Sequence, residues 1–346
     1  MKSNGLEAQR SQQGKIRIYS NFPSFDSLLK NDPSFEHFYM GKSRSLVNNL
    51  RMLWRARWSA DLLILNMSPK RLLLACFFFW IISPRPFRGC HIVSVDLLLR
   101  PAKSLRAKIL NVFKSVLFRQ VDLFILYFRN VDGYVKHFGI PRKRIAYVPF
   151  KVNSWEKLKA RRAKVGEGDY VLLSGATLRD HVTFVDAMAK SGLPGVLLIP
   201  GERRLEIEQS SWYRSAVPPN LRVDFHTDGK EETYLRYFEG ARIVCFPRFA
   251  WDIASTGISG YLCSMALGKF VAISHGPGAD DVLADNEAAA FFEPGNSDEL
   301  ARLIKDAWDR PEYRQRIAAN GAKYAESLEG EDRLLRDILK TAVEHS

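Results

Sequence analysis

The stretch Thr256–Leu283, TGISGYLCSMALGKFVAISHGPGADDVL, decides the fold of this chain. It predicts a turn lined by small residues, a short helix ending at Gly268, a buried strand at Phe270–Ser274 and a Gly-Pro-Gly turn that opens a second helix. A helix that begins after small residues exposes unpaired N–H groups and the positive end of its dipole. The stretch therefore predicts a phosphate site at the N-terminus of the first helix.

Short apolar segments alternate with helical patterns along most of the chain. Such alternation is typical of a parallel sheet covered on both faces, and 346 residues are enough for two such domains. The predicted strands of the first half are Lys15–Ser20, Asp61–Asn66, His91–Asp96, Asp122–Leu126 and Ile145–Val148. Those of the second half are Tyr170–Ser174, Val196–Ile199, Leu221–Phe225, Ile243–Phe246, Phe270–Ser274 and Ala288–Phe292.

The opening stretch also resembles the nucleotide-sugar half of GT-B glycosyltransferases, of the family-4-like group 1 type. In that family a Glu-Gly-Phe-Gly turn leads to Glu-Ala-Met-Ala-x-Gly-Lys-Pro-Val-Val and then to Gly-Gly-x-x-Glu. Here Ser264–Val271 (SMALGKFV) follows the middle section closely, and Gly278–Val282 (GADDV) follows the last one loosely. His137–Asn153 resembles the end of the family's first domain. The resemblance implies an α/β chain of GT-B fold, with two Rossmann-like domains facing each other across a cleft.

Domain boundaries follow from composition and from this resemblance. Residues 1–14 lack the apolar stretch of a signal peptide and are predicted to be a disordered tail. Residues 15–150 are expected to form the acceptor-binding, membrane-facing domain, and residues 169–330 the nucleotide-sugar domain. The Lys-, Arg- and Glu-rich segment 151–168 is predicted to link them. The resemblance implies that residues 331–346 form a helix crossing back to the first domain.

The predicted donor site begins at the first strand of the second half. Sugar transfer from a nucleotide donor leaves a diphosphate, whose growing negative charge must be neutralised. The resemblance implies that cations and helix N-termini do this, so we expect no metal or other cofactor, and a nucleoside diphosphate sugar of UDP or GDP type as substrate. Arg179 falls on the Lys of the family's Arg-x-x-x-x-Lys-Gly segment, and Gly175 and Thr177 complete a phosphate-sized loop. The alternative for Arg179 is a surface role capping a turn.

Further donor-site candidates follow later strands. Arg248 comes after Ile243–Pro247, at an edge where open α/β sheets bind ligands, and would pair with phosphate or with an acidic sugar unless it is a plain surface residue. Two glutamates of the family fall on Thr256 and Ser264, so both carboxylates are missing; Asp252 either replaces one or only caps a turn. The remaining candidates are Thr227, near the expected nucleobase position, and Gly257, Ile258 and Ser259 at the helix start, with Arg203 and Arg204 as weaker ones.

Asp96 is the candidate general base of the first domain. It ends the predicted strand HIVSVD, and a carboxylate at a strand end would deprotonate an acceptor hydroxyl if transfer inverts the anomeric centre. An Asp at a strand end also commonly caps a turn or a helix, which is the alternative here.

The first domain is strongly basic, although the whole chain carries only +13. Residues 1–150 hold 25 Lys and Arg against 8 Asp and Glu, a net +17, whereas the remaining residues have a net −4. Residues 103–120 form a basic amphipathic pattern, which favours an anionic membrane surface; a core-facing helix with a basic rim is the alternative. The expected membrane-facing cations are Lys103, Arg106, Lys108, Lys114 and Arg119.

Three function hypotheses remain from the sequence. The first is a cytoplasmic glycosyltransferase, peripheral at the inner face of the plasma membrane, with a lipid-linked or polysaccharide acceptor. The second is a GT-B-like protein with altered chemistry, such as a nucleotide-sugar epimerase or an inactive partner. The third is nucleic-acid binding through the basic domain, which the lack of known nucleic-acid signatures disfavours, so we expect no nucleic-acid partner. The four cysteines form no metal-ligand spacing, and the apolar run Leu72–Ile82 is too short to span a bilayer.

Overall fold

A computed structural model describes residues 14–41, 46–85, 88–201, 217–284 and 287–346. The chain divides into two compact units. The first contains the chain up to Leu126 together with Asp132–Val148 and Leu334–Ser346, and the second contains Tyr127–Val131 and Pro149–Arg333. Each unit holds one six-stranded sheet with helices, so the predicted α/β class is confirmed. The predicted tail, except its last residue, and the candidates Arg203 and Arg204 lie outside the described residues.

The sheet of the first unit is wholly parallel, with strand order β2-β1-β3-β4-β5-β6. Its strands are β1 (Ile16–Ser20), β2 (Phe35–Tyr39), β3 (Leu62–Leu65), β4 (His91–Val95), β5 (Leu123–Leu126) and β6 (Ile145–Tyr147). The central strands β3 and β5 are buried along their whole length, as expected for a sheet covered on both faces. The edge strand β2 was not predicted, because FEHFY mixes polar and aromatic residues on a half-exposed edge.

The helices of the first unit connect successive strands. They are α1 (Phe25–Leu29), α2 (Leu46–Ser59), α3 (Pro69–Ile82), α4 (Leu105–Phe118) and α5 (Asp132–Phe138), with a 3₁₀ turn at Arg142–Arg144. The connections through α2, α3 and α4 each step along the sheet in the same direction, from β2 towards β5. Because such crossovers are right-handed, these three helices lie on one face of the sheet.

The sheet of the second unit is also parallel, with order β12-β11-β10-β7-β8-β9. Its strands are β7 (Tyr170–Ser174), β8 (Gly195–Ile199), β9 (Leu221–Phe225), β10 (Ala241–Phe246), β11 (Phe270–Ser274) and β12 (Ala290–Phe292). The chain enters at β7 in the middle, runs outward to β9, and returns to β10 on the other side of β7. The order therefore reverses between β7 and β10.

The remaining helices belong mainly to the second unit. They are α6 (Trp155–Arg162), α7 (His181–Ser191), α8 (Glu231–Gly240), α9 (Ile258–Ala266), α10 (Asp280–Leu283), α11 (Ser297–Asp309), α12 (Pro311–Leu328) and α13 (Glu331–Glu344), which continues into the first unit at Leu334. Asp180 caps α7 by accepting from the Thr183 N–H, and Asn296 caps α11 through the Glu299 N–H.

The predicted linker, 151–168, folds as part of the second unit and contains α6. Arg161 on α6 donates to the carboxylates of Glu232 and Glu239 on α8, each at 2.7 Å. The charged residues of this segment, which indicated a linker in the sequence, thus form ion pairs between helices. Across the described residues, no helix combines the length and apolarity needed to cross a bilayer.

Candidate functional site

The candidate donor site lies where the strand order of the second sheet reverses. Loops leaving the carboxyl ends of β7 and β10 run in opposite directions there, which opens a crevice that suits a ligand. Arg179, from the loop after β7, and Arg248, from the loop after β10, pair through an antiparallel backbone bridge at this position. The site therefore contains two guanidinium groups.

Arg179 is a buried cation in this crevice. Only 3% of the residue is exposed, and its guanidinium lies 5.2 Å from the centre of the Phe246 ring. Burial, and next the nearby charge of Arg248, lower the pKa of Arg179 to about 10, so the side chain remains protonated at neutral pH. The surface alternative for Arg179 does not fit this burial.

Two glycines leave the space that the Arg179 side chain occupies. A Cβ on Gly257 would overlap the guanidinium at Nη2, and one on Gly175 would lie 3.3 Å from Nε. Both glycines have positive φ, +85° and +116°, which other residues rarely adopt. Gly257 is also the N-cap of α9, a helix of nine residues. The guanidinium thus lies against the positive end of a helix dipole, and an anion placed there would stabilise both.

Arg248 holds two loops together. Its Nη1 donates to the Pro277 carbonyl at 2.6 Å, and its Nη2 donates to the Ala254 carbonyl at 2.5 Å and to Asp252 Oδ2 at 3.1 Å. Its backbone N–H donates to Ser274 Oγ at 2.9 Å. The residue is almost fully buried, so the surface alternative is wrong, and its bonds tie the loop after β10 to the loop after β11.

Asp252 and Thr256 belong to the same buried network. Asp252 Oδ2 also accepts from Thr256 Oγ1 at 2.9 Å, and Oδ1 accepts from the Ala254 N–H at 3.0 Å. Asp252 is buried and holds the turn that leads into α9, rather than presenting a carboxylate to solvent. Of the two alternatives for Asp252, the structure fits the turn-holding one.

Ser264 does not reach the predicted site. It is fully buried inside α9, and its hydroxyl donates to the Gly260 carbonyl one turn back at 2.9 Å. A serine is too short to extend beyond the helix, whereas the glutamate expected at this position would be longer. The expectation that Ser264 contacts the donor is therefore corrected.

The structure brings only part of the predicted set together. Ile258 is buried and Ser259 is exposed in the first turn of α9, beside Gly257, while Thr177 is half-buried in the loop before Arg179. Thr227 is exposed just after β9, two strands away from β7. Its neighbour His226 has its ring 5.9 Å from that of Tyr234 on α8.

Two aromatic residues of the site were not predicted. Phe246 lies under the Arg179 guanidinium, and Tyr234 on α8 hydrogen-bonds Ser174 at the end of β7, where burial raises the pKa of its hydroxyl. The ring of Tyr234 lies 4.5 Å from that of Phe238, four residues later on the same helix, with the two planes tilted by 43°. That i, i+4 aromatic pair was the one signal in the sequence, and it indicates only a buried helix face.

Asp96 lies directly after β4 in the first unit. It has φ of 56°, and its N–H donates to the Ile125 carbonyl at 2.9 Å. Burial raises the pKa of its carboxyl to about 6, near the value a general base requires at neutral pH. Buried Tyr134 fixes the following segment, donating to the Leu97 carbonyl at 2.5 Å and accepting from the Leu99 N–H at 3.0 Å.

Helix α4 presents its apolar stripe to the outside of the first unit. Leu105 is 74% exposed, and Ile109, Val112 and Phe113 are also exposed, whereas Leu117 on the last turn of the helix is buried. The core-facing alternative is therefore wrong. The predicted cations Lys103, Arg106, Lys108 and Arg119 are exposed, while Lys114 is half-buried and donates to Asn111 Oδ1 at 3.0 Å. Burial lowers the pKa of Lys114.

The second unit matches a known family in sequence. Residues 176–324 match the family described as glycosyl transferases group 1. This range contains Arg179, Arg248 and the whole of α9. The resemblance inferred from the sequence is thereby confirmed over the matched range. No curated protein matches the chain.

Solved structures share the fold of the full chain. Alr3699/HepE of Anabaena, solved in complex with UDP, has a TM-score of 0.62 at 15% identity, covering 95% of this chain and all of its own. Sucrose-phosphate synthase of Thermosynechococcus elongatus has a TM-score of 0.62 at 16% identity, covering 98% of this chain and 92% of its own. WaaG, a glycosyltransferase of lipopolysaccharide biosynthesis, has a TM-score of 0.54 at 13% identity, covering 98% of this chain and 93% of its own. At these identities the likeness establishes the two-domain α/β architecture of GT-B glycosyltransferases.

Proposed function

We propose that this protein transfers a sugar from a nucleoside diphosphate donor, bound at the carboxyl edge of β7 and β10, to a lipid-linked or polysaccharide acceptor. The observation that carries the proposal is the Arg179 guanidinium, buried against the N-terminus of α9. A buried cation held against the positive end of a helix dipole is costly unless an anion lies beside them. A diphosphate has the required charge, and the fold is shared with a protein solved with UDP.

In this proposal some site residues would bind the donor diphosphate, and others would hold the loops of the site in position. Arg179 and the N–H groups of the first turn of α9 would stabilise the charge that develops on the leaving diphosphate. Arg248 and Asp252 would hold the two loops in place, without touching the donor. We also propose that this arrangement works without a metal ion, because a buried guanidinium supplies charge-assisted hydrogen bonds to phosphate.

Asp96 is proposed as the base that removes the proton of the acceptor hydroxyl, in an inverting transfer. Its raised pKa, about 6, keeps it ionised at neutral pH yet basic enough to accept a proton. The hydroxyl proton would pass to the Asp96 carboxylate as the acceptor oxygen bonds to the anomeric carbon and the diphosphate departs with the glycosidic electron pair.

We propose that the acceptor is reached at an anionic membrane surface, on the cytoplasmic side. The net +17 of residues 1–150 and the exposed apolar stripe of α4 support this location. A nucleic-acid partner would not require exposed Leu105 and Ile109 beside the cations.

A second candidate is a nucleotide-sugar protein with altered chemistry, such as an epimerase or an inactive partner. It is favoured by the absence of both family glutamates at Thr256 and Ser264, and by the engagement of Asp252 in the loop network. Incubation with a panel of nucleotide sugars, with and without EDTA, separates the two candidates. Donor hydrolysis or transfer that persists in EDTA supports a metal-independent transferase, whereas conversion of one nucleotide sugar into another supports the epimerase.

Arg179→Ala tests the donor site directly. We expect UDP or GDP binding, measured by calorimetry, to weaken by about 1.5–3 kcal/mol, because a charge-assisted contact to phosphate is lost from a desolvated site. The matched control is Arg236→Ala, which removes an exposed arginine of the same unit. Unchanged affinity in folded Arg179→Ala would place the diphosphate elsewhere.

A further inference from the structure

Helices α2, α3 and α4 form a continuous layer on one face of the first sheet. Helix α3 packs between its two neighbours, and the rings of Trp54 on α2 and Phe78 on α3 meet edge to face at 6.4 Å. A surface helix normally turns its polar side outward. This layer is unusual because large apolar side chains lie on its outer side.

The outward apolar residues come from all three helices. Trp58 on α2 is 71% exposed, and Ile81 on α3 is 60% exposed, with Trp80 beside it. The exposed residues of α4, including Leu105 and Ile109, extend the same surface. We call this surface, formed by the outer sides of α2, α3 and α4, the apolar plate. A contiguous apolar surface of this kind marks an interaction site.

The charge of the plate indicates its occupant. The sequences of α2, α3 and α4 contain no Asp or Glu, whereas each contains Lys or Arg. Arg57 stacks on the rings of Trp54 and Trp58, with its guanidinium carbon 3.5 Å and 4.5 Å from their centres. Arg57 is itself buried, so it holds the two exposed rings in place from below. Tryptophan is suited to the headgroup level of a bilayer, where one end of the side chain is apolar and the other is hydrated.

We propose that the apolar plate inserts into the interfacial region of an anionic bilayer, so that the protein is held by three helices rather than adsorbed through the charges of α4 alone. The inference rests on the membrane location in the proposed function and specifies the surface and the depth of contact. The apolar residues enter below the headgroups, while the exposed cations of the three helices face the lipid phosphates. A protein partner usually carries cations of its own. If the plate bound one, we would expect some acidic residues on the plate to pair with those cations.

Insertion and adsorption differ in their response to salt. Attraction between cations and lipid headgroups is screened at about 1 M salt, where the Debye length is ~3 Å, but burial of apolar surface is not. We therefore expect the full-length protein to float with vesicles of phosphatidylcholine and phosphatidylglycerol, and to stay bound when salt is raised to about 1 M. Its tryptophan fluorescence should be quenched when the acyl chains are brominated, and less so in Trp58→Phe/Trp80→Phe.

The double variant Ile81→Ser/Ile109→Ser removes two exposed apolar side chains without touching the core. We expect its partition into the same vesicles at about 1 M salt to fall roughly tenfold or more, because each side chain loses several buried carbon atoms. The control is Phe225→Ser, an exposed apolar residue of the second unit (44% exposed), which should leave partition unchanged. Unfolding temperatures of both variants establish that they are folded.

Two results would overturn the inference. Release of the wild type by salt, without quenching by brominated chains, would mean adsorption only. Concentration-dependent self-association that the isoleucine substitutions abolish, without any vesicle binding, would make the plate a protein interface. The donor proposal is judged separately: a protein that inserts but does not bind UDP or GDP contradicts the proposed donor alone, and one that binds nucleotide but not vesicles contradicts the plate alone.

Discussion

The guanidinium of Arg179 occupies the space that a Cβ on Gly257 would fill. Gly257 is therefore needed for two reasons. As the N-cap of α9 it adopts a φ of +85°, which other residues rarely adopt, and its lack of a side chain leaves room for a cation at the start of that helix. The relationship joins the loop after β7 to the loop after β10, across the point where the strand order reverses.

Gly257→Ala should displace Arg179 and impair donor binding. The methyl group meets the guanidinium, and the backbone is strained by positive φ, so we expect a loss of unfolding free energy of about 2–4 kcal/mol, with weaker UDP or GDP binding by calorimetry. The control is Gly192→Ala, at φ +69° with no atom within 4 Å of the added methyl, which carries the backbone strain alone. If the two variants behave alike, the Arg179 contact has no role.

Asp252→Asn should loosen the loops around α9. The substitution leaves the Arg248 guanidinium buried beside a neutral group, and it places an amide NH₂ among groups that are themselves hydrogen-bond donors. We therefore expect the free energy of unfolding, measured by chemical denaturation, to fall by about 3 kcal/mol. Asp298→Asn, which breaks the exposed pair with Lys190, is the control and should cause no measurable change. A stable Asp252→Asn protein with normal nucleotide affinity would contradict the proposal that Asp252 and Arg248 hold the two loops in place.

The strands of the second sheet were predictable because their apolar runs are short and bounded by turn residues. Tyr170–Ser174, Leu221–Phe225 and Phe270–Ser274 occur with the predicted bounds. Edge strand β2 was missed, since partial exposure gives FEHFY no continuous apolar run and no strict alternation.

The candidate site was less predictable than the fold, because burial and bonding partners depend on contacts distant in sequence. From the sequence, Arg248 is either a phosphate or sugar ligand or a surface residue, yet it is buried and its partners include Pro277, 29 residues away. Ser264 lies on a motif that resembles the family's, but its short side chain hydrogen-bonds to the Gly260 carbonyl within α9. Spacing can place a residue in a loop, but it does not show whether the side chain is buried or which groups it bonds.

Asp96→Asn should stabilise the protein at neutral pH. The pKa of Asp96 is raised from 3.8 to about 6 in the folded state, so folding binds a proton between these values and the unfolding free energy falls as pH rises through them. Asn carries no charge and tolerates the positive φ of this position. We expect the free energy of unfolding, measured from denaturation curves, to be higher in the variant by about 2 kcal/mol at pH ~7 and to differ little below pH ~4.

The same variant tests the catalytic role of Asp96. If it is the general base, wild-type turnover should fall as pH drops below about 6, and Asp96→Asn should lower turnover by roughly a hundredfold while preserving donor binding. Stabilisation without any loss of turnover would leave Asp96 as a structural carboxyl and assign the base to another residue.

Arg106→Glu/Lys108→Glu should weaken binding to anionic vesicles at low salt. Both side chains are exposed on α4, and each cation near an anionic surface contributes about 1 kcal/mol, so reversing two should lower partition by more than about tenfold at ~0.1 M salt. At about 1 M salt the charges are screened, so the variant and the wild type should converge on the partition that the apolar surface provides.

Arg302→Glu/Lys305→Glu is the matched control for this charge reversal. It makes the same change in net charge at exposed positions of α11, in the second unit, and should leave vesicle binding unchanged. Equal losses in the two double variants would mean that vesicles respond to the total charge of the protein. A loss confined to the α4 variant, with nucleotide affinity intact in both, is the result expected if the first unit carries the membrane contact and the second unit carries the donor site.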